Sequence, residues 1–225
     1  MKNIYFVRHG ESASNAARKT LGAGAPLTAR GQEQSRVVAQ YLATLSAQII
    51  VTSPYERARD TALIIRECVG LPVEVSDLFR ERRWPSGVLN LPYDNPVRLQ
   101  IEGQMHNAYQ ADDASFRVGD EENFSDLFDR AARAQRYLES LRESTVVVVT
   151  HGTFLRFLHS HLQFGGGLTP SVWLRIMRGH QTINAGVTHY QLLEQGDCAN
   201  GHASWSLCCW MSAAHLLSNN SPNYS

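Results

Sequence analysis

An excess of charge of either sign is missing from this chain: 21 basic and 21 acidic side chains cancel over 225 residues. That balance disfavours a general affinity for nucleic acid or for anionic membranes, which needs a surface dominated by one sign. No stretch approaches the ~20 consecutive apolar residues of a membrane span. Ile4–Val7, ahead of Arg8 and His9, is far too short for the apolar region of a secretory signal. Cysteine is sparse, and Cys68, Cys198, Cys208 and Cys209 have neither disulfide-framework nor zinc-ligand spacing. A reducing, cytoplasmic setting with no metal and no cofactor is the expectation. Lysine is nearly absent, since Lys2 and Lys19 stand against 19 Arg. Genome composition accounts for such a skew; a need for bidentate anion contacts is the sharper alternative. With 43% hydrophobic and 19% charged residues, the chain has the composition of an ordered globular protein.

What is present is an alternation. Asn3–Val7, Gln48–Thr52, Val73–Ser76 and Thr145–Thr150 read as short strands, rich in β-branched residues. Uninterrupted apolar runs such as Val146–Val149 suit a sheet covered on both faces. Between them, helical spacing aligns Val37, Val38, Leu42 and Leu45 within Thr28–Leu45, and Ala58, Thr61, Ala62 and Ile65 within Pro54–Val69. Leu127, Ala131, Leu138 and Leu141 do so within Phe124–Leu141. Phe154–Leu162 predicts a further helix and Val187–Leu193 a closing strand. Such a pattern predicts an α/β domain over residues 1–194, with a mostly parallel central sheet between helical layers.

Residues 85–123 break this rhythm with Pro85, Pro92 and Pro96, and hold at most a modest helix over Val97–Tyr109. A long irregular stretch within a domain is read as a lid or binding loop. Residues 195–225 form a tail with an apolar stretch from Trp205 to Leu217 and a Ser/Asn-rich end. The tail is read as an element packed on the domain. A partner-binding element, a dimer contact in a homo-oligomer, or an extension without a selected role are the alternatives.

The strands deliver unusual residues at their carboxyl ends, where ligands bind in open α/β sheets. Asn3–Val7 runs into Arg8-His9-Gly10, Gln48–Thr52 into Ser53 and a helix carrying Arg57, and Thr145–Thr150 into His151-Gly152. The weaker strand Val73–Ser76 leads to Arg80-Glu81-Arg82-Arg83. Ser53, Pro54 and Glu56 predict a capping box with proline in the first helical position. Arg57 then lies in the first turn on the inward face, against the helix dipole, a placement that makes sense beside a bound anion. Arg forks match phosphate oxygens, and an imidazole in line with phosphorus can act as a nucleophile.

The Arg8-His9-Gly10-Glu11-Ser12 run with Asn15 resembles the signature of the histidine phosphatase superfamily, which includes the phosphoglycerate mutases. Leu27-Thr28 with Gly31 and Gln34, Ser53-Pro54 with Arg57-Ala58 and Thr61-Ala62, Arg80-Glu81-Arg82, and Thr150-His151-Gly152 resemble later family motifs in order. The resemblance implies a three-layer α/β/α sandwich in which His9 is the phosphorylated nucleophile. It implies that Arg8, Arg57 and His151 hold the phosphoryl oxygens with help from Asn15, and that Glu81 is the general acid and base. Glu102, Glu121 and Glu122 are rivals for that last role. Arg8 and Arg57 are expected to keep His9 neutral, and a bound phosphate dianion to favour a protonated Glu81.

Two departures touch the substrate side. Proline stands at 85 where the mutases carry glycine, and Glu121-Glu122-Asn123 replaces a Gly-Glu-Ser pattern. Both favour a phosphatase over a mutase, with Arg82, Arg83 and Trp84 at the entrance. The expected activity is a metal-independent phosphomonoesterase acting through phosphohistidine on a small phosphorylated metabolite. A phosphoglycerate mutase is the alternative within the family, and a catalytically silent phosphate-binding or scaffold module the alternative outside it.

Overall fold

Strand β1 (Lys2–Arg8) sends Ile4 and Phe6 into one hydrophobic cluster and Val7 into another, all three fully buried. Strand β4 (Thr145–Thr150) divides Val146 and Val148 from Val147 and Val149 in the same way. A strand buried on both faces needs a helical layer on each. The computed structural model describes residues 1–193 and 204–217, and both layers are there. After β1 come one helical turn, α1 (Ala13–Ala16), then α2 (Ala29–Ala43), β2 (Ile49–Thr52), α3 (Glu56–Val69) and β3 (Val73–Val75). Next are α4 (Pro96–Gln110) and α5 (Phe124–Ser140), and after β4 come α6 (Gly152–Phe164) and α7 (Pro170–Gly179). Strands β5 (Val187–Leu193) and β6 (Ser204–Ser212) and a short α8 (Ala214–Leu217) close the described chain. Helices α2 and α3 pack Val38, Leu42, Ala62 and Ile65 on the Val7 face, while α5 and α6 pack Leu127, Leu138, Phe154 and Phe157 on the Phe6 face. The result is a three-layer α/β/α sandwich.

The sheet runs β3-β2-β4-β1-β5-β6. Its first four strands are parallel, and β5 and β6 join antiparallel. Neighbouring β1 and β4 lead into helices on opposite faces, α2 and α6, and such a switch opens a crevice at the carboxyl ends. In register, Arg8 faces Thr150 and Thr52 faces Val149. The residues that follow, His9, His151 and Ser53, therefore meet at one edge.

The structure departs from the sequence reading in three places. The capping box of Ser53 and Glu56 is not formed: α3 starts at Glu56 with Tyr55 before it. Ser53 Oγ instead accepts the Tyr55 N–H at 3.2 Å and sits 2.7 Å from His151 Nε2, so the strand–helix turn serves the histidine. Helix α4 is a full fifteen residues, capped by Asn95, whose side chain accepts the Val97 N–H. Helix α7 follows an equally clear start, Thr169-Pro170, that the reading passed over. Part of the tail forms strand β6, an element packed on the domain: it pairs with β5, and its Trp205 and Trp210 pack on the Phe6-side cluster. Asp197, Cys198 and the Ser/Asn-rich end lie outside the described residues. Among those described, no helix is long and apolar enough to cross a membrane.

Candidate active site

The loop after β1 is pressed onto the start of α2. A Cβ on Gly10 would fall 2.3 Å from the Gly31 carbonyl oxygen, and one on Gly31 would fall 1.9 Å from that of Glu11. Only glycine allows this approach. Thr28 caps α2 by accepting the Gly31 N–H at 3.0 Å. Gln34 Oε1 accepts the Glu11 N–H at 2.8 Å, and Thr61 Oγ1 from α3 accepts the Gly10 N–H at 3.1 Å. Thr28, Gly31, Gln34 and Thr61 thus hold the backbone that carries His9.

His9 is 3% exposed. Its Nδ1 lies 2.7 Å from the Gly10 carbonyl, which can only accept, so Nδ1 carries the proton. The lone pair on Nε2 accepts from Arg57 Nε at 3.1 Å. Burial first, then Arg57 and Arg8, push the pKa well below 6.5. The arginine effect expected from the sequence is present but second to desolvation.

His151 is fully buried, with its ring centroid 5.0 Å from that of His9. Ser53 Oγ, which accepts the Tyr55 N–H, lies 2.7 Å from His151 Nε2 and can donate its hydroxyl proton there. In that tautomer Nδ1 carries the ring proton, and it has no hydrogen-bond partner among the described residues. Burial, then Arg57, His9 and Arg8, keep this ring neutral as well. Arg8 donates to the Thr182 carbonyl at 2.6 Å, while its buried Nε has no partner among the described residues. Burial lowers its pKa to about 10. Arg57 Nη1 donates to the Gly22 carbonyl at 2.8 Å. Asn15 Oδ1 accepts from Ser12 N, Ser12 Oγ and Asn184 Nδ2, which leaves the Asn15 amide N–H groups for a ligand.

Glu81 sits at the amino end of α6. Its Oε1 accepts from Phe154 N and Arg82 N, both at 2.9 Å, and its Oε2 from Thr153 N at 3.1 Å. Two of those donors are first-turn N–H groups that a helix leaves without internal partners. The flanking arginines hold the Glu81 strap from both sides. Arg80 pairs with Glu122 at 2.9 Å, Arg130 pairs with the same carboxylate at 2.7 Å, and Arg82 pairs with Glu121 at 2.7 Å. Burial alone would raise Glu122; Arg130 and Arg80 reverse this and hold it below the usual carboxylate range. Glu102 pairs with Arg98 at 2.8 Å. All three rivals to Glu81 are therefore held in ion pairs, and Glu81 alone of the four borders the cleft.

The cleft has a volume of about 380 Å³. Arg8, His9, Asn15, Arg57 and Glu81 line it, and the segment from Trp84 to Arg98 walls its outer part with Tyr93. Arg82, Arg83 and Trp84 border it as expected. The Arg82 guanidinium, however, turns inward to Glu121 and the Tyr109 hydroxyl and stacks on Trp84. The sequence reading missed Ser53 as the partner of His151, Asn184 against the His9 carbonyl at 3.0 Å, and Arg156 in the cleft wall. Helical counting from Gly152 would have found Arg156, four residues on. Nothing in the sequence marks Asn184, which arrives from the loop before β5.

Two neutral imidazoles, two guanidiniums and a carboxylate gathered at strand ends define a site shaped for a tetrahedral oxyanion. A model of the histidine phosphatase superfamily (branch 1) matches residues 4–195, and the chain belongs to that family. It is 36% identical over 162 residues to the probable phosphoglycerate mutase GpmB of Serratia proteamaculans, covering 71% of this chain and 74% of the relative. Over 83 residues it is 43% identical to the uncharacterized phosphatase PhoE of Bacillus subtilis, 36% of this chain and 43% of that one. YhfR of Bacillus stearothermophilus superposes with a TM-score of 0.77 at 21% identity, over 96% of this chain and all of its own. A mycobacterial glucosyl-3-phosphoglycerate phosphatase in complex with VO3 does so with 0.72 at 22%, over 95% of this chain and 100% of that one. At these identities the two structures show the fold.

Proposed function

We propose that the protein is a phosphomonoesterase that needs no metal and works through a phosphohistidine on His9. The observation that carries this reading is the tautomer of His9: the Gly10 carbonyl holds the Nδ1 proton, so the lone pair that can attack is on Nε2, where the Arg57 Nε–H donates to it. Nε2 forms a bond to phosphorus as the bond to the leaving oxygen breaks, and Glu81 gives that oxygen a proton. Arg8, Arg57, Asn15 and the His151 Nδ1–H hold the three remaining phosphoryl oxygens. In the second half, the Glu81 carboxylate takes a proton from water, the water oxygen bonds to phosphorus, and His9 leaves neutral. Arg8 and Arg57 supply the positive charge that a metal would otherwise bring. A silent binding module would need neither nucleophile nor acid.

A phosphoglycerate mutase shares the first half but returns the phosphoryl group to a second hydroxyl. Pro85 and the Glu121-Glu122-Asn123 run, which departs from the mutase pattern, favour transfer to water. Acid-labile, base-stable phosphate should be trapped on the chain by quenching a single turnover with a labelled ester, and His9→Ala should lose both adduct and phosphate release. Chelators should leave the rate intact. Phosphate release at near wild-type rate in His9→Ala would sink the mechanism, and isomerised ester without free phosphate would favour the mutase.

A further inference from the structure

Arg57 is fixed at two points: its Nε donates to His9 Nε2 at 3.1 Å, and its Nη1 to the Gly22 carbonyl at 2.8 Å. In the phosphatase reaction proposed above, on which this inference rests, the first contact cannot last. The Nε2 lone pair passes to phosphorus, and a nitrogen that has given up its lone pair accepts no hydrogen bond. While the phosphoryl group is on His9, the Gly22 carbonyl is the contact that still aims the guanidinium. Packing does little to hold Gly22 itself. It sits at φ +72°, and a Cβ built on it would meet nothing among the described residues within 4 Å. Its loop is anchored earlier, by three bonds to the outer cleft wall and α4. The Arg18 carbonyl accepts the Tyr93 N–H at 3.1 Å, the Thr20 carbonyl the Asn90 N–H at 2.9 Å, and Thr20 Oγ1 an N–H of Arg98 Nη1 at 2.8 Å. Arg98 is 5% exposed and ion-paired with Glu102 at 2.8 Å. Its guanidinium carbon lies 4.9 Å from the Trp84 ring centroid and 4.6 Å from that of Tyr93. One buried guanidinium thus ties the loop behind Arg57 to the wall of the cleft.

We propose that Arg98 is a positioning residue: through Thr20 it fixes the loop whose Gly22 carbonyl aims Arg57 at the phosphoryl oxygens. A charge already held in place costs no reorganisation as the reaction proceeds. Misplacing such a group by about 1 Å can cost up to about 10²-fold in rate.

The test approaches the Arg98–Thr20 bond from both sides. Thr20→Val keeps the side-chain shape and removes the acceptor, Thr20→Ser returns it, and Arg98→Met removes the donor. Two quantities are read: kcat/KM on 4-nitrophenyl phosphate and on glycerol 3-phosphate, and the affinity for inorganic phosphate by phosphorus NMR. Thr20→Val and Arg98→Met should each lower kcat/KM by about 10-fold. The factor should be the same for both esters, which share the phosphoryl group, and phosphate should bind more weakly. Thr20→Ser should restore most of the loss. In an Arg57→Ala background neither substitution should weaken phosphate binding further. A loss that persists at full size without Arg57 overturns the proposal, because Arg98 would then act on something else. Wild-type kcat/KM and phosphate affinity in Thr20→Val overturn it too, and so does a loss confined to one ester, which would set Arg98 against the leaving group. If Arg98→Met does not fold, Thr20→Val decides alone. Absence of turnover with both esters in the unsubstituted chain counts against hydrolysis itself, while phosphate affinity across the Thr20 and Arg57 variants still decides the role of Arg98.

Discussion

His9 and Glu81 have opposite duties, and the fold serves them by different means. His9 must be neutral, and burial with two arginines ensures this at any pH near neutrality. Glu81 must be placed beside the leaving oxygen, and three backbone N–H groups fix its carboxyl there. Arg57 touches the phosphoryl group throughout the reaction, so Arg57→Ala should raise KM and lower kcat together. Glu81 acts only as the leaving bond breaks. Glu81→Gln should therefore keep KM and lower kcat by about 10²- to 10⁴-fold on an alkyl phosphate. A nitrophenyl ester needs little protonation and should lose far less. Steady-state kinetics on both esters is the measurement, and equal losses would remove Glu81 from the role of acid. The six residues read from the sequence converge here because strand ends in a parallel sheet share one edge. What the sequence could not show is how each is held. The Ser53–His151 contact joins residues 98 apart, and it displaced the helix cap that local spacing predicted.

At the scale of elements, the alternation of buried strands and amphipathic helices was legible because both faces of each central strand must be covered. That the packed element of the tail is a strand was not legible: the outer residues of β6 are largely exposed, so it lacks the continuous apolar run that marked β4. Position 31 is a stricter test of how elements meet. Gly31 lies in α2, where alanine is ordinarily the better helix former by about 1 kcal/mol. Here the added Cβ would meet the Glu11 backbone at 1.9 Å, and backbone cannot swing aside as a side chain can. Gly31→Ala should therefore destabilise the chain in chemical denaturation and raise KM by shifting the His9 loop. A stabilised variant would mean that the loop has room to move. The strap around Glu81 makes a second case. Glu122→Gln would leave the buried Arg130 and the half-buried Arg80 against a neutral amide, and breaking a buried pair such as Arg130–Glu122 costs about 3–5 kcal/mol. Urea unfolding measures it, and a loss under 1 kcal/mol would show that the pairs are only weakly held.

Over the whole molecule, the histidines set how stability responds to acid. Burial is the leading cause that lowers the pKa of His9, His151, His159, His161, His189 and His215, with His159 brought down to about 4. His159 is 6% exposed, lies against the Tyr190 hydroxyl and the Trp210 ring, and has His180 beside it, whose charge lowers its pKa further. In the unfolded chain each of these rings takes up a proton near pH 6.5, whereas in the folded chain it stays neutral to lower pH. Between those two values the unfolded state binds more protons, so the stability of the fold rises with pH up to about 6.5 and levels off above it. Falling pH removes that stability, at up to about 1.4 kcal/mol per pH unit for each ring that stays fully neutral. Glu122, held below the usual carboxylate range, adds a further loss only at lower pH, where it would otherwise protonate. The unfolding free energy should therefore be nearly flat from pH 8 to 7 and drop steeply from 6.5 to 5. His159→Gln should make that drop shallower by about 1.4 kcal/mol per pH unit, whatever it does to stability at pH 8. Urea titrations of both chains at intervals of half a pH unit give the slopes directly. Equal slopes would show that His159 takes up its proton in the folded state, and a wild-type fold that strengthens below pH 6.5 would contradict the burial of the whole set.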